Sequence, residues 1–314
     1  MRFSVIHVYG LSAEAVQKFE SVLPGRKIRA LNNKADLAAS IAEIEVIFVF
    51  RPPREVWSGA RRLRLIQTIG AGVDTLLPAS DLPAEVRITN ARGIHGAQMS
   101  EHALAMMLAF AKQLPQVLVN QRMKRWQWFA PLSLEGKTCS ILGMGTIGRL
   151  VAERAKQFGM RVIGLQRQPK AFKHADEVLP PEQLQRAVQQ ADYLVVILPK
   201  TPRTLHLLDA KVLADLRLDA VLINMARGGI VDETAVANML REGRLRGAAL
   251  DVFAEEPLPE SSDLWMVPNL IITPHVAGLV PDYLDRILKI FIDNLKRLED
   301  GKPLINEIDR ARGY

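Results

Sequence analysis

Three residues at three strand ends have the chemistry to reduce a carbonyl. Arg227 stands in Asn224-Met-Ala-Arg227-Gly228-Gly229. Glu256 stands in Leu250-Asp251-Val-Phe-Ala-Glu-Glu256-Pro257, and His275 in Thr273-Pro274-His275-Val-Ala277-Gly278. An arginine can grip a carboxylate through paired hydrogen bonds. A histidine can protonate a carbonyl oxygen as a hydride reaches the carbon. A carboxylate beside that histidine orients it and favours its protonated form. A 2-keto acid meeting a hydride needs all three, and Arg227, His275 and Glu256 fill the roles in that order. Each also has a bland reading. His275 could be a satisfied loop histidine, Glu256 a solvated residue with Glu255 as a rival, and Asp251 a turn cap.

The hydride needs a donor, and Gly143-Met-Gly145-Thr146-Ile147-Gly148 has the spacing of a dinucleotide loop. The pattern alone is weak, but an apolar strand leads in and a helix-forming stretch leads out, which is the context it requires. Gly143 permits the tight turn, Gly145 lets backbone approach a pyrophosphate, and Gly148 lets helix and strand pack closely. The helix N-terminus offers free N–H groups to the phosphates. About 20 residues on, where an acid usually grips the ribose hydroxyls, the chain reads Gln166-Arg167-Gln168-Pro169-Lys170. A carboxylate would repel a 2′-phosphate, whereas a guanidinium can bind one. NADP(H) is therefore preferred, and NAD(H) stays open.

These loops need strands and helices to hold them. Apolar runs at Phe3–Val8, Val46–Phe50, Leu65–Ile69 and Val86–Thr89 alternate with amphipathic stretches. A second series begins at Thr138. Its strands are Thr138–Leu142, Arg161–Leu165, Tyr193–Leu198, Ala220–Asn224, Ala248–Val252 and Leu270–Thr273. Strand–helix alternation predicts α/β architecture with parallel sheets. Between the series, Ser100–Leu114 is apolar all round and predicts a buried helix. Pro281–Glu299 predicts a long closing helix.

At 314 residues, with 48% hydrophobic and 24% charged, the chain has material for two domains of roughly 100–200 residues each. The net charge of +7 brings nucleic acid into consideration, but the basic residues are spread out. A basic surface also suits an anionic cofactor and substrate, and no nucleic-acid partner is expected. The basic-aromatic strip Arg122-Met-Lys-Arg125-Trp126-Gln-Trp128 reads as packing or interface. The single cysteine, Cys139, excludes an intrachain disulfide and fits a cytoplasmic location. No apolar run approaches the ~18 residues of a membrane helix. The N-terminus reads as a strand without a secretory leader. No His/Asp/Glu cluster has metal-ligand spacing, so no metal is expected.

Taken together these motifs resemble the D-isomer-specific 2-hydroxyacid dehydrogenase family. They are the Gly143–Gly148 loop, Ala226-Arg227-Gly228, Leu250-Asp251-Val252 with Glu256-Pro257, Thr273-Pro274-His275, Gly70-Ala71-Gly72-Val73-Asp74, and the ending Asn294-Leu…Gly301-Lys-Pro303-Leu. The resemblance covers nearly the whole chain. It implies two domains of Rossmann-like or flavodoxin-like form, with the dinucleotide domain inserted into the substrate domain. The substrate domain would be residues 1–96 and 281–314, the dinucleotide domain 97–280, with the active site in a cleft. It further implies that Ala71, Gly72 and Val73 hold the substrate carboxylate. Cofactor contacts would come from Gly143, Gly145, Thr146, Ile147, Gly148, Gln166, Arg167, Pro199, Thr204, Met225, Ala226, Asp251 and Ala277, with Asp251 toward the nicotinamide amide. His95 is a candidate for the cleft, and His102 reads as structural. A homodimer is implied, with Trp126 or Trp128 reaching the partner's active site.

Leu198-Pro199-Lys200-Thr201-Pro202 with Arg167 is most similar to the glyoxylate/hydroxypyruvate reductase branch. A second reading is an NAD-dependent enzyme like 3-phosphoglycerate dehydrogenase, for which Arg51 and Arg54 could meet a phosphate. The absence of a regulatory domain after residue 314 weighs mildly against it. A third, less favoured, is a cofactor-sensing binding protein like the family's corepressors.

Overall fold

The computed structural model describes residues 3–53, 55–73, 76–77 and 79–310. Arg54 and Asp74, singled out above, lie outside the described residues. The chain forms two compact units, one from residues 1–94 and 280–314, the other from 95–279.

The first unit starts with β1 (Val5–Tyr9), α1 (Ala13–Val22), β2 (Lys27–Leu31), α2 (Lys34–Ser40), β3 (Val46–Val49), β4 (Leu65–Thr68) and β5 (Arg87–Thr89). The strands make a parallel sheet in the order β2-β1-β3-β4-β5. Every residue of β3 and β4 is buried, as expected of central strands covered on both faces. Alternate residues feed two cores. Ile47, Val49 and Ile66 enter one, and Val46, Phe48 and Leu65 the other, the period of two that a strand imposes. Ser12 and Asn33 cap α1 and α2 by accepting the N–H of Ala15 and Asp36, each satisfying an orphan helix donor.

The second unit runs α3 (Gly96–Ala111), α4 (Leu114–Arg122), β6 (Thr138–Leu142), α5 (Thr146–Gln157), β7 (Arg161–Leu165), β8 (Glu177–Leu179), α6 (Leu184–Gln189), β9 (Tyr193–Val196), α7 (Ala210–Leu213), β10 (Val221–Asn224), α8 (Glu233–Arg241), β11 (Gly247–Leu250) and β12 (Leu270–Ile272). Its seven strands are parallel, in the order β12-β11-β10-β9-β6-β7-β8. The order reverses between β6 and β9, and ligands of open α/β sheets collect at the strand ends beside such a reversal. Cys139 is buried in β6, and burial pushes its thiol up to about 12. The closing helix α9 (Tyr283–Glu299) belongs to the first unit, where Phe291 meets Phe19 and Phe48 with ring centroids 5.9 and 5.4 Å apart.

The α/β class with two parallel sheets is as the alternation predicts. Four elements are added to that reading: β2, α2, α4 and β8. The edge strand β2 reads Lys-Ile-Arg-Ala-Leu with three residues exposed, so it has no apolar run to detect. β8 has three residues, only one of them buried. The predicted helix at 100–114 begins four residues earlier and stops at Ala111. Gln113 then takes a left-handed φ of 51° and α4 follows. No single helix among the described residues is long and apolar enough to cross a membrane.

Candidate active site

The Gly143–Gly148 loop joins β6 to α5. Gly143 has φ +115°, and a Cβ there would strike the carbonyl of Ile197. A Cβ on Gly148 would strike the carbonyl oxygen of Gly143. Nothing lies within 4 Å of the place a Cβ would occupy on Gly145, which is the N-cap of the 12-residue α5. Packing thus demands the first and third glycines, while the second leaves an open approach to the helix N-terminus. Thr146 and Ile147 form the first turn of α5. This cradle fits the pyrophosphate of a nicotinamide dinucleotide.

Gln166 follows β7 and donates from Nε2 to the Met144 carbonyl, 3.4 Å away, tying its strand end to the glycine loop. Arg167 beside it is exposed. After β9, Thr204 Oγ1 donates to the Pro199 carbonyl at 2.6 Å and accepts the Thr201 N–H at 2.8 Å. These bonds close the 199–204 turn. Met225 and Ala226 are buried at the end of β10, where Asn224 Oδ1 accepts the Ala226 N–H at 3.1 Å.

Arg227 comes next, half-buried, donating from Nη1 to the Ala226 carbonyl at 2.8 Å. A Cβ on Gly228 would overlap the backbone at Phe253 and Ala254, so the loops after β10 and β11 pack backbone to backbone. The loop after β11 carries Glu256. Its Oε1 accepts the Phe253 N–H at 3.0 Å, and its Oε2 lies 2.7 Å from His275 Nδ1. Burial pushes the Glu256 carboxyl up. The hydrogen bonds from His275 and Phe253 and the charges of His275 and Arg227 outweigh burial and hold the carboxyl below its ordinary value. Arg227, Glu256 and His275 are therefore brought together.

His275 has a left-handed φ of 55°, a strained position for a side chain with a Cβ. Asp251 fixes that geometry. Its carbonyl accepts the His275 N–H at 2.8 Å. Its Oδ1 accepts Thr273 Oγ1 at 2.5 Å and the Val276 N–H at 2.9 Å, and its Oδ2 accepts the Ala277 N–H at 3.0 Å. The Asp251 carboxylate is thus turned inward on the 273–277 segment, and Ala277 is buried.

Nothing in the sequence marks Glu233 as part of the site. It sits in the first turn of α8, after the cap Asp232, where an acid reads as ordinary helix chemistry. Its carboxylate accepts the Ala254 N–H at 2.7 Å, pinning the Glu256 loop to the helix behind Arg227. Burial raises its carboxyl pKa against the N–H donors of Ala254 and Gly229.

His95 is buried, with its ring against Gly278. Burial lowers its pKa to about 4, and the charge of Arg227 adds to the drop. His102 on α3 is also lowered by burial, with Asp251 opposing. Ala71, Gly72 and Val73 follow β4 in the first unit, where Asn90 Nδ2 donates to the Ala71 carbonyl at 2.6 Å. Among the described residues no group of three His, Cys, Asp or Glu could hold a metal ion.

A doubly wound parallel sheet, a glycine loop of dinucleotide-binding form and an Arg–Glu–His set at neighbouring strand ends define a nicotinamide-dependent oxidoreductase of hydroxy acids. Comparison with known proteins agrees. Residues 104–277 match the D-isomer specific 2-hydroxyacid dehydrogenase, NAD binding domain. The chain belongs to that family. It is 32% identical to glyoxylate/hydroxypyruvate reductase A of Salmonella typhimurium, over 95% of each chain. It is 31% identical over 88% of its length to D-3-phosphoglycerate dehydrogenase of Methanocaldococcus jannaschii, and spans only 54% of that protein. The structure of the NADPH-dependent glyoxylate/hydroxypyruvate reductase of Sinorhizobium meliloti, in complex with NADP and sulfate, superposes with a TM-score of 0.89. The identity is 29%, and the match covers all of both chains.

Proposed function

We propose that the protein reduces a small 2-keto acid, glyoxylate or hydroxypyruvate, with NADPH. The observation that carries this reading is the 2.7 Å His275–Glu256 pair beside Arg227, on the sheet that also bears the glycine loop. Arg227 binds the substrate carboxylate and polarises the neighbouring carbonyl. His275, with Nδ1 on Glu256, presents Nε2 and gives its proton to the carbonyl oxygen. Glu256 holds the ring in place and balances its charge. The nicotinamide, when bound, supplies the hydride to the carbonyl carbon. His275 is 45% exposed at its side chain, so solvent can return the proton.

Arg167 supports NADPH over NADH, since no acid stands at the end of β7 to repel a 2′-phosphate. The NADPH-dependent relative from Sinorhizobium meliloti favours the same choice. The similarity to a 3-phosphoglycerate dehydrogenase supports a second reading, in which an NAD-linked enzyme oxidises a phosphorylated hydroxy acid.

We also propose a cytoplasmic homodimer. Support for the location is the single buried cysteine. Support for the dimer is an apolar surface on and after α4, where Leu118, Val119, Met123, Trp126 and Trp128 are all exposed. Patches of this kind mark association surfaces.

The test is NADPH and NADH oxidation at 340 nm with glyoxylate, hydroxypyruvate and pyruvate, alongside 3-phosphoglycerate oxidation with NAD. NADPH consumption with glyoxylate or hydroxypyruvate is expected. Activity with 3-phosphoglycerate alone would replace the proposal by the second reading.

A further inference from the structure

The segment between β7 and β8 carries Arg167 and Lys170 within five consecutive exposed residues, Arg167 to Ala171. Exposed loop residues are ordinarily mobile, yet this segment is tied down at both ends. At its start, Gln166 donates to the Met144 carbonyl and its N–H to the Leu179 carbonyl at 2.9 Å. At its end, the Asp176 carboxylate accepts the Val162 N–H at 2.7 Å and receives Lys156 Nζ at 3.0 Å on each oxygen.

Between these ties sits Phe172. The Arg149 guanidinium lies over its ring, 5.1 Å from the centroid, and His174 meets the ring edge-to-face at 5.5 Å. Phe172 and Ala175 also pack on the core that α5 covers. Arg149 and Lys156 are seven residues apart on α5, two turns along one helix face. The helix that offers its N-terminus to a pyrophosphate therefore also carries two anchors of the segment that displays the cations.

We propose that Arg149 is a positioning residue for cofactor choice. Stacked on Phe172, it holds residues 166–176 so that Arg167 and Lys170 face a 2′-phosphate without the segment having to order on binding. This rests on the NADPH reading above. A pre-ordered loop loses less entropy when its ligand arrives. The benefit falls only on the ligand that touches Arg167 and Lys170. NADH, which has no 2′-phosphate, gains nothing from it.

The test is equilibrium binding, followed by calorimetry, of NADPH, NADH and 2′,5′-ADP to the wild type, Arg149→Met, Arg149→Lys and Phe172→Leu. Arg149→Met and Phe172→Leu are expected to weaken NADPH and 2′,5′-ADP about fivefold, the size of a surface cation–π contact, with NADH affinity unchanged. Arg149→Lys, which keeps a cation over the ring, is expected to restore most of the loss. If NADPH and NADH weaken equally, or if neither changes while the wild type prefers NADPH, Arg149 does not position the cofactor loop and only this inference falls. If the wild type binds NADPH no more tightly than NADH, the NADPH reading falls and this inference with it.

Discussion

The strand ends of the seven-stranded sheet and the stretch that follows α4 are opposites within one unit. At the strand ends, side-chain carboxylates are spent on backbone N–H groups. Asp251 holds Val276 and Ala277, Glu233 holds Ala254, and Glu256 holds Phe253. Gly228 leaves no room for a side chain. Each loop is over-determined, which is how a strained residue such as His275 persists. After α4 the ties are few. Asn120 accepts the Arg125 N–H through its carbonyl and donates to Gln127 at 3.3 Å. Trp126 stands fully exposed and Trp128 nearly so. One region is completed by its own chain. The other presents large apolar side chains that a single chain does not cover, as an association surface does.

Substitutions can break or sharpen this contrast. The largest effect is expected at the completed region. Arg227→Ala should lower kcat/KM for glyoxylate by about a thousandfold, because carboxylate binding and orientation are lost together. A loss under tenfold would mean the substrate is held elsewhere. The uncovered region should respond in assembly. If the proposed homodimer forms through this surface, Trp126→Ala combined with Trp128→Ala should shift the mass measured by light scattering toward monomer, and a wild type that is already monomeric would contradict that proposal.

A smaller effect is expected at Asp251. Asp251→Asn replaces one acceptor oxygen by a donor facing N–H groups, costing about 1–3 kcal/mol. It should reduce kcat more than it raises the KM for glyoxylate, since the His275 segment is what it holds. An unchanged kcat would show that the 273–277 segment keeps its shape without the carboxylate.

The smallest effect is on acid stability. Burial, with Arg29 adding and Glu43 opposing, lowers the pKa of His7 from its usual 6.5. His95 is lowered to about 4. Both are neutral in the folded chain where the unfolded chain already binds protons. Their contribution to stability is therefore full above about pH 6.5 and is lost as pH falls, for His95 down toward pH 4. His7→Leu should leave the melting temperature at pH 7 within a few degrees and reduce its fall between pH 7 and pH 5. An unchanged fall would assign the whole effect to other groups.

What could be read in advance follows the same division. The glycine loop, Arg227, Glu256 and His275 were legible because each answers a local demand: a turn with no space for Cβ, or a charged side chain stranded after an apolar strand. The central strands were legible because burial on both faces leaves unbroken apolar runs. The edge strand β2 was not, since Lys27, Arg29 and Ala30 face solvent. Glu233 and the Arg149–Phe172 pair were hidden for another reason. Their partners are 21 and 23 residues away in sequence, and only the packed sheet brings them together. Asp251 reads from sequence as a strand-end acid, but the three contacts its carboxylate accepts lie 22 to 26 residues downstream.

The central claim is that Glu256 acts through His275 on a keto acid. A double-mutant cycle on kcat/KM for glyoxylate with NADPH tests it most directly. Glu256→Gln alone is expected to cost about 10- to 100-fold and His275→Ala about a thousandfold. In the His275→Ala background, Glu256→Gln should then cost less than about twofold, because a partner that works only through the histidine has nothing left to support. Costs that simply multiply would contradict the account, and would make Glu256 and His275 independent of each other in the reaction.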